Sequence, residues 1–207
     1  MNLLHIDSSI SGEGSASRQI SAAVTAALAR ANPGLQIVWR DLDAEPIPHL
    51  DSKRLSSVRP SPDLPAPAQS DVDANAAILQ EFLDADVLVI GAPMYNFGIP
   101  SQLKAWLDRI LVAGKTFRYS QTGPVGLAGG KKVIVASARG GVYSPGLPNA
   151  ANDFQETYLK AVFAFIGVDD VEFVRAEGVA YGPEPRAAAL RDALANAETI
   201  AGLAIAA

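Results

Sequence analysis

The sequence predicts a single α/β domain built on a doubly wound parallel sheet, and three observations lead to this prediction. The length of 207 residues suffices for one such domain with a complete core, but not comfortably for two. Five short apolar runs alternate with amphipathic helical segments, which is typical of parallel strands joined by right-handed crossovers. The run at residues 87–90 is apolar throughout, as expected for a central strand that is buried on both faces.

The elements are predicted in the following order from the amino terminus. The five predicted strands cover residues 2–6, 35–39, 87–90, 132–137 and 171–175. The predicted helices cover residues 20–31, 72–83, 100–111, 151–166 and 186–201. Asn32-Pro33-Gly34 is expected to end the first helix, and Gly167 the fourth. The alternation alone leaves the order of the strands in the sheet open.

Two longer segments interrupt this alternation. Residues 46–67 are rich in Pro, Ser and Asp, and they predict a surface excursion with a short helix near residues 52–58. Residues 117–130 are rich in glycine, and they predict a hairpin or an irregular insertion. Because long connections in compact domains tend to be functional or mobile, we expect both segments to cover a ligand site.

Composition excludes several classes of function. The net charge is −5 and no dense Lys/Arg tract is present, so neither nucleic acid nor an anionic membrane is expected as a partner. The chain has no cysteine, which excludes thiol catalysis, disulfides and cysteine-ligated metals. Its two histidines, His5 and His49, have no acidic cluster beside them, so no metal site is predicted. No apolar run approaches the roughly 20 residues of a membrane span, and the start MNLLHIDSS lacks the basic region of a signal peptide, so we expect a cytoplasmic protein.

Three polar loops follow predicted strands, at residues 8–17, 94–97 and 137–141. If the first, third and fourth strands are neighbours, the three loops share one rim of the sheet at a topological switch point, where α/β proteins bind ligands. The first loop offers hydroxyls and backbone N–H groups at a helix start, which suits a phosphate. Because the P-loop pattern G-x-x-x-x-G-K-[ST] is absent, we expect a monophosphate held by neutral donors. The second loop, Met-Tyr-Asn-Phe, suits a flat heteroaromatic ligand with polar edges.

Each loop also has a purely structural explanation. Ser15 or Ser17 could simply cap the first helix. Residues 94–97 could form a buried turn whose aromatic rings pack on the core. Arg139 could form a surface or interface salt bridge, and Gly140-Gly141 a turn. The occurrence of all three loops at strand ends favours a common ligand site.

Motifs along the whole chain resemble those of one family. They are S-S-x-S-G-x-x-S-x-S at residues 8–17, G-A-P-M-Y-N-F-G-I-P-S-x-L-K at 91–104, A-R-G-G at 138–141 and A-E-G-V-A-Y-G-P at 176–183. In these motifs the chain is similar to the FMN-dependent NADH-azoreductase and quinone oxidoreductase family. The resemblance implies one flavodoxin-like domain over residues 1–207, with a doubly wound sheet of five parallel strands and helices on both faces.

The resemblance also implies which residues bind FMN. The phosphate and ribityl end would be held by Ser9, Ser15, Ala16 and Ser17. The isoalloxazine would be lined by Met94, Tyr95, Asn96 and Phe97. Its pyrimidine edge would be contacted by Ala138, Arg139, Gly140 and Gly141, and the Arg139 charge or the glycine amides would stabilise the reduced flavin. Family members often have a hydroxyl residue where this chain has Ala138, and Ser137 is not expected to replace it.

The function implied by the resemblance is transfer of two electrons in each of two half-reactions, by hydride from NADH to FMN and then to a quinone or an aromatic azo compound. The sequence leaves NADH or NADPH open and implies no catalytic acid or base. A homodimer with sites between subunits is implied, and we expect helix 151–166 to contribute to it through Tyr158, Phe163 and Phe165. Two alternatives remain: a flavin-binding electron carrier or redox-responsive partner protein, and a hydrolase that uses the serine loop.

Overall fold

The computed structural model describes residues 1–203, and side chains through residue 200. The strands are β1 (Asn2–Asp7), β2 (Gln36–Asp41), β3 (Val87–Pro93), β4 (Phe117–Ser120), β5 (Gly123–Gly126), β6 (Lys132–Ala138) and β7 (Asp170–Ala176). The helices are α1 (Ala16–Ala31), α2 (Leu55–Val58), α3 (Gln69–Asp84), α4 (Ser101–Ile110), α5 (Phe154–Phe165) and α6 (Pro183–Leu203). The predicted alternation of strands and helices is confirmed.

The main sheet has five parallel strands in the order β2-β1-β3-β6-β7. The first, third and fourth strands of the predicted alternation are therefore neighbours, as the argument about a shared rim required. Their carboxyl ends are in register, because Asp7 lies opposite Gly91 and Pro93 lies opposite Ala138. The loops that follow these three strands consequently begin side by side.

The sheet is buried on both faces by helices. Successive side chains of a strand point to opposite faces, so Leu88 and Ile90 pack under α3, α4 and α5, whereas Val87 and Val89 pack under α1 and α6. The first of these two cores is the larger, and the fully buried Trp106 of α4 is its largest side chain. This explains why the 87–90 run is apolar at every position.

Local sequence signals determine where the helices begin and end. The Ser15 hydroxyl caps α1 by accepting a hydrogen bond from the amide of Arg18 at 3.2 Å. Asp153 caps α5 in the same way by accepting from the amide of Glu156 at 2.9 Å. For this reason α5 begins three residues later than predicted, after a short 3-10 turn over residues 150–152. Gly167, with φ of 88°, follows the end of the helix as predicted.

The two interrupting segments are partly as predicted. Residues 46–67 run over the surface and contain the short helix α2, and the Pro48 carbonyl accepts a hydrogen bond from the Arg109 guanidinium at 2.6 Å. Residues 117–130 contain the β4–β5 hairpin, which packs against the end of α5. A Cβ added at Gly126 would lie 2.1 Å from the amide nitrogen of Gly167, so only glycine allows this close approach.

Candidate functional site

A cavity of about 130 Å³ opens where the loops after β1, β3 and β6 meet. Its lining contains no carboxylate and no histidine, and consists mainly of small and hydroxyl-bearing residues. The lining residues are Ser9, Ser11, Gly14, Ser15, Ala16, Ser17, Pro93, Met94, Tyr95, Ala138, Gly140, Val179 and Arg186. Eight of the twelve predicted site residues are among them. The other four, Asn96, Phe97, Arg139 and Gly141, lie beside the cavity in the same loops.

The serine loop is held in place by its own hydroxyls and by Tyr95. The Ser15 and Ser17 hydroxyls are buried and lie 3.1 Å apart. The Tyr95 hydroxyl lies 3.2 Å from the Ser9 hydroxyl, and it accepts a hydrogen bond from the Ile10 amide at 3.2 Å. The Tyr95 side chain therefore reaches from the loop after β3 to the loop after β1, which places its hydroxyl at the serine end of the cavity.

Arg18 fixes the start of this loop from behind. Its Nε and Nη2 both donate to the Ser9 carbonyl, at 3.2 and 2.8 Å, while two short bonds of 2.7 Å join the guanidinium to the Asp41 carboxylate. The hydrogen bond from Arg18 holds the pKa of Asp41 below its usual range, although burial opposes the shift. A second carboxylate, that of Asp7, lies 3.7 Å from the guanidinium. The Arg18 charge is thus neutralised within the protein and does not line the cavity.

The loop after β3 turns sharply at residues 95–98. Tyr95 and Gly98 exchange two backbone hydrogen bonds of 2.9 and 3.1 Å, and the two residues between them, Asn96 and Phe97, have φ of 48° and 71°. Asparagine tolerates such angles, but phenylalanine does so at a cost of about 1–3 kcal/mol. Phe97 remains 47% exposed, and its ring packs edge to face on that of Tyr143 with 6.3 Å between the ring centroids. Strained residues of this kind cluster at ligand sites, and these two lie at the rim of the cavity.

The loop after β6 is fixed by the loop after β7. The carbonyls of Arg139, Gly140 and Gly141 accept hydrogen bonds of 2.9–3.1 Å from the amides of residues 178–180. The amides of Gly140 and Gly141 donate no hydrogen bond within the part of the chain that the structure describes. They are therefore available to an acceptor at the edge of a ligand.

The expectation that the Arg139 charge lies at the ligand is wrong. Its guanidinium is fully buried and faces away from the cavity, toward the carboxylates of Asp153 at 3.0 Å, Glu177 at 3.2 Å and Glu156. Arg175 pairs with the other side of Glu156 at 2.7 Å. Only the backbone of Arg139 remains a candidate for ligand binding. The sequence left open a surface or interface salt bridge for Arg139, and the structure shows an internal network of salt bridges instead.

This buried network also shapes the neighbouring loop. The Glu177 carboxylate accepts from the Tyr143 amide at 2.7 Å and from the Ser144 hydroxyl. Burial by itself would raise the pKa of Glu177, but these hydrogen bonds and the Arg139 charge outweigh burial and hold the pKa below its usual range. Gln155 completes the network by donating to the Ala92 carbonyl at 2.6 Å, which links the ends of β3 and β6.

Ser137 and Ala138 face opposite sides, as alternation along a strand requires. Ala138 lines the cavity, whereas the Ser137 hydroxyl is buried in the Arg139 network, 3.0 Å from Nε of Arg139 and 3.2 Å from the Gln155 side chain. The expectation that Ser137 does not replace the missing hydroxyl is confirmed.

Other expectations concern groups outside the cavity. His5 is a buried core residue, with Nδ1 2.7 Å from the Thr25 hydroxyl. Neither residues 46–67 nor residues 117–130 contribute to the cavity lining, so in a single chain they do not cover it, contrary to expectation. Across residues 1–203, no group of three or more His, Asp or Glu side chains is placed to hold a metal ion. In the same range, no helix is both long enough and apolar enough to cross a membrane.

The site contains residues that the sequence analysis missed. Ser11 and Gly14 belong to the serine loop, whose neighbouring residues were candidates. Val179 belongs to the segment that carries the last family motif, from which no site residue was predicted. Arg186 gave no local signal, because it lies on α6, 172 residues from the Gly14 carbonyl to which it donates a hydrogen bond.

This strand order, with a hydroxyl-lined cavity at the switch point of the parallel sheet, defines a protein of the flavodoxin-like class. A family model described as a flavodoxin-like fold matches residues 1–201. An FMN-dependent NADH:quinone oxidoreductase from Ralstonia nicotianae is 54% identical over 209 residues, covering 100% of both chains. Another, from Bradyrhizobium diazoefficiens, is 55% identical over 200 residues, which is 97% of this chain and 98% of that relative.

Solved structures agree with these relatives. An FMN-dependent NADH-azoreductase from Bacillus anthracis, in complex with FMN, superposes with a TM-score of 0.87 at 28% identity over 97% of each chain. An azoreductase from another strain of the same species gives a TM-score of 0.85 at 30% identity over 97% of this chain and 98% of the other. The chain therefore belongs to the flavodoxin-like fold family, which confirms the resemblance that its motifs indicated.

Proposed function

We propose that the protein is an FMN-dependent NADH:quinone oxidoreductase that also cleaves aromatic azo compounds. The observation that carries this proposal is the carboxylate-free cavity, rich in hydroxyls, at the switch point of the sheet. The activities named for the relatives and for the solved neighbours support it, and they favour the enzyme over the electron carrier and the hydrolase. The proposal includes action in the cytoplasm, where NADH is available.

The donor groups at the site fit FMN. One end of the cavity is lined by the side chains of Ser9, Ser15 and Ser17 and also by Ser11 and Gly14. Hydroxyls and backbone groups of this kind suit a phosphate monoester. At the other end, the amides of Gly140 and Gly141 suit the carbonyl-bearing edge of the flavin ring. A carboxylate at either end would repel the phosphate or the reduced ring, and the lining has none.

FMN, when bound, supplies the redox chemistry by accepting a hydride from NADH and passing two electrons to the quinone or azo bond. The protein then has to bind, orient and shield it. The turn at Asn96 and Phe97 borders the cavity, and its exposed Phe97 ring offers an apolar surface to a flat substrate. The titratable side chains that line the cavity are Tyr95 and Arg186.

The proposal includes a homodimer with sites between subunits. A groove of about 580 Å³ continues from the turn after Phe97 across α4 and α5. It is lined by Gly98, Ile99, Ser101, Lys104, Phe154, Thr157, Tyr158 and Ala161. Exposed apolar patches of this kind mark interaction surfaces, and a second copy seated here would also cover the exposed side of the candidate flavin site.

The residues expected at this interface need one correction. Phe163 is fully buried in the core of its own chain and cannot reach a second copy. Phe165 is half-buried and packs on Phe117 at 4.6 Å between ring centroids. Tyr158 lines the groove, and so does Phe154, which is 59% exposed and takes the place of Phe163 in the proposed interface.

Steady-state kinetics tests the proposal. The purified protein with FMN should oxidise NADH in the presence of 1,4-benzoquinone or an aromatic azo dye, and double-reciprocal plots should be parallel because the two substrates react in separate half-reactions. A carrier would instead turn over neither acceptor and would show two well-separated one-electron potentials in a redox titration. A protein that binds no flavin would point to the hydrolase.

A further inference from the structure

Arg186 lines the cavity although it lies in the first turn of α6, far in sequence from the serine loop and from the loops after β3 and β6. Its Nη2 donates a hydrogen bond to the Gly14 carbonyl at 2.5 Å, which ties the carboxyl-terminal helix to the serine loop. The side chain is half-buried, so it is held at the serine end and does not move freely in solvent. Neither the serine motif nor the family resemblance indicates a role for this residue.

Arg186 is the one charged residue in the lining of the cavity, among the residues that the structure describes. The other arginine near the serine loop, Arg18, faces the carboxylates of Asp41 and Asp7. Its Nε and Nη2 also donate hydrogen bonds to the Ser9 carbonyl. The acidic residues that are near Arg186 or the loop in sequence, Glu13 and Glu184, are exposed and do not line the cavity. The serine end of the cavity therefore has an unopposed positive charge.

We propose that Arg186 binds the phosphate of FMN and makes the site selective for flavins that carry a phosphate over riboflavin. This proposal rests on the proposed FMN site and extends it, because the sequence predicted neutral donors only. A phosphate monoester carries a charge of roughly −1.5 to −2 at pH 7, and a guanidinium is suited to it by charge and by its planar set of donors. One of the five N–H donors of Arg186 is used by Gly14, which leaves others for phosphate oxygens.

The hydrogen bond from Arg186 to the Gly14 carbonyl also positions the guanidinium for a phosphate. It holds the guanidinium beside the loop before any ligand arrives, so that little side-chain freedom is lost on binding. The same bond could, on its own, make Arg186 a simple clamp of the loop. A clamp and a phosphate ligand differ in one respect: a clamp affects FMN and riboflavin equally, whereas a phosphate ligand affects only FMN.

The test measures the dissociation constants of FMN and riboflavin for the full-length protein freed of flavin, by quenching of flavin fluorescence. The variants are Arg186→Gln, which keeps an N–H donor on a shorter side chain but loses the charge, and Arg186→Lys, which keeps the charge. The matched control is Arg191→Gln, an exposed arginine on the same helix that does not line the cavity.

For Arg186→Gln we expect FMN to bind about tenfold more weakly, because a charge-assisted bond is replaced by a neutral one, while riboflavin binding is unchanged. Arg186→Lys should lose less, and Arg191→Gln nothing. Added salt should weaken FMN binding less in Arg186→Gln than in the wild type, because fewer charges remain to be screened.

Two results would overturn the assignment of Arg186 while leaving the FMN site intact. One is a dissociation constant for FMN that is unchanged in Arg186→Gln. The other is an equal loss of affinity for both flavins, which would make the residue a clamp only. A wild-type protein that binds neither flavin would overturn the proposed function, and this inference with it.

Discussion

Replacing Arg139 by methionine tests whether its charge serves the fold or the ligand. Methionine is similar in length and apolar, so the variant removes the cation with little change in packing volume. In the wild type the guanidinium faces the buried carboxylate of Glu156 and two partly buried ones, those of Asp153 at 3.0 Å and Glu177 at 3.2 Å. Glu156 keeps Arg175 in the variant, so the loss falls on Asp153 and Glu177.

The magnitude follows from the burial of these groups. Leaving a fully buried charge without its counter-ion costs about 3–5 kcal/mol of unfolding free energy. Because the Asp153 and Glu177 side chains are 12% and 14% exposed, we expect a loss at the lower end, about 3 kcal/mol. For a domain of this size that corresponds to a fall of about 6–12 °C in the melting temperature. The matched control is Arg175→Met: Arg175 is 35% exposed and faces a carboxylate that Arg139 also neutralises, so we expect a loss of about 1 kcal/mol or less.

The pH dependence gives a second prediction for the same pair of proteins. The native pKa of Glu177 is lowered, so its contribution to stability is fully present above the ordinary carboxyl pKa of about 4.3 and is lost as the pH falls through the native pKa. Without Arg139, the charge and the hydrogen bond by which it lowers the pKa of this carboxyl are lost, so the pKa rises from its wild-type position. The difference in stability between wild type and Arg139→Met should therefore be largest near pH 7 and should shrink below about pH 4.5.

Urea unfolding of the flavin-free protein, followed by the fluorescence of Trp39 and Trp106, measures both effects. The reasoning is refuted if Arg139→Met is as stable as the wild type at pH 7 and yet loses FMN. That result would mean that the guanidinium reaches the ligand after all.

Three further predictions concern the rim of the site and the groove. Asn96→Ala and Asn96→Gly should both weaken FMN binding and slow reduction of the flavin by NADH if the Asn96 amide contacts the flavin. The glycine variant accepts the positive φ of this residue, so it removes the amide without straining the backbone. If the glycine variant behaves like the wild type, Asn96 does not belong to the site. Ala138→Ser places a hydroxyl on the cavity wall and should tighten FMN binding about fivefold, which equals ~1 kcal/mol. Unchanged binding in a fluorescence titration would argue against a ligand at this wall. Phe154→Asp should convert the dimer into a monomer in sedimentation velocity, and a wild-type protein that is already a monomer would contradict the interface.

The fold could be predicted because its signals are local. The apolar run at residues 87–90 and the helical spacing of Leu103, Trp106 and Leu107 reflect which faces are buried, and both are visible within a few residues. The strand order was not visible in the alternation itself. It followed from the resemblance, since the motifs after the first, third and fourth predicted strands need neighbouring strands to form one site.

The parts of the site that depend on distant residues could not be predicted. Arg139 stands beside two flexible glycines in sequence, but its direction is determined by Asp153, Glu156 and Glu177, which come 14–38 residues later. Nor does the sequence mark the turn at Phe97, because turns with two positive φ values normally contain glycine at these positions.

A visible absorption spectrum of the purified protein, recorded before and after anaerobic addition of NADH, tests the central claim most directly. We expect the bands of oxidised flavin, their bleaching by NADH and their return when 1,4-benzoquinone is added. A flavin spectrum that neither NADH nor NADPH bleaches would contradict the enzyme and favour an electron carrier. A colourless protein that also fails to take up added FMN would contradict the flavin site itself.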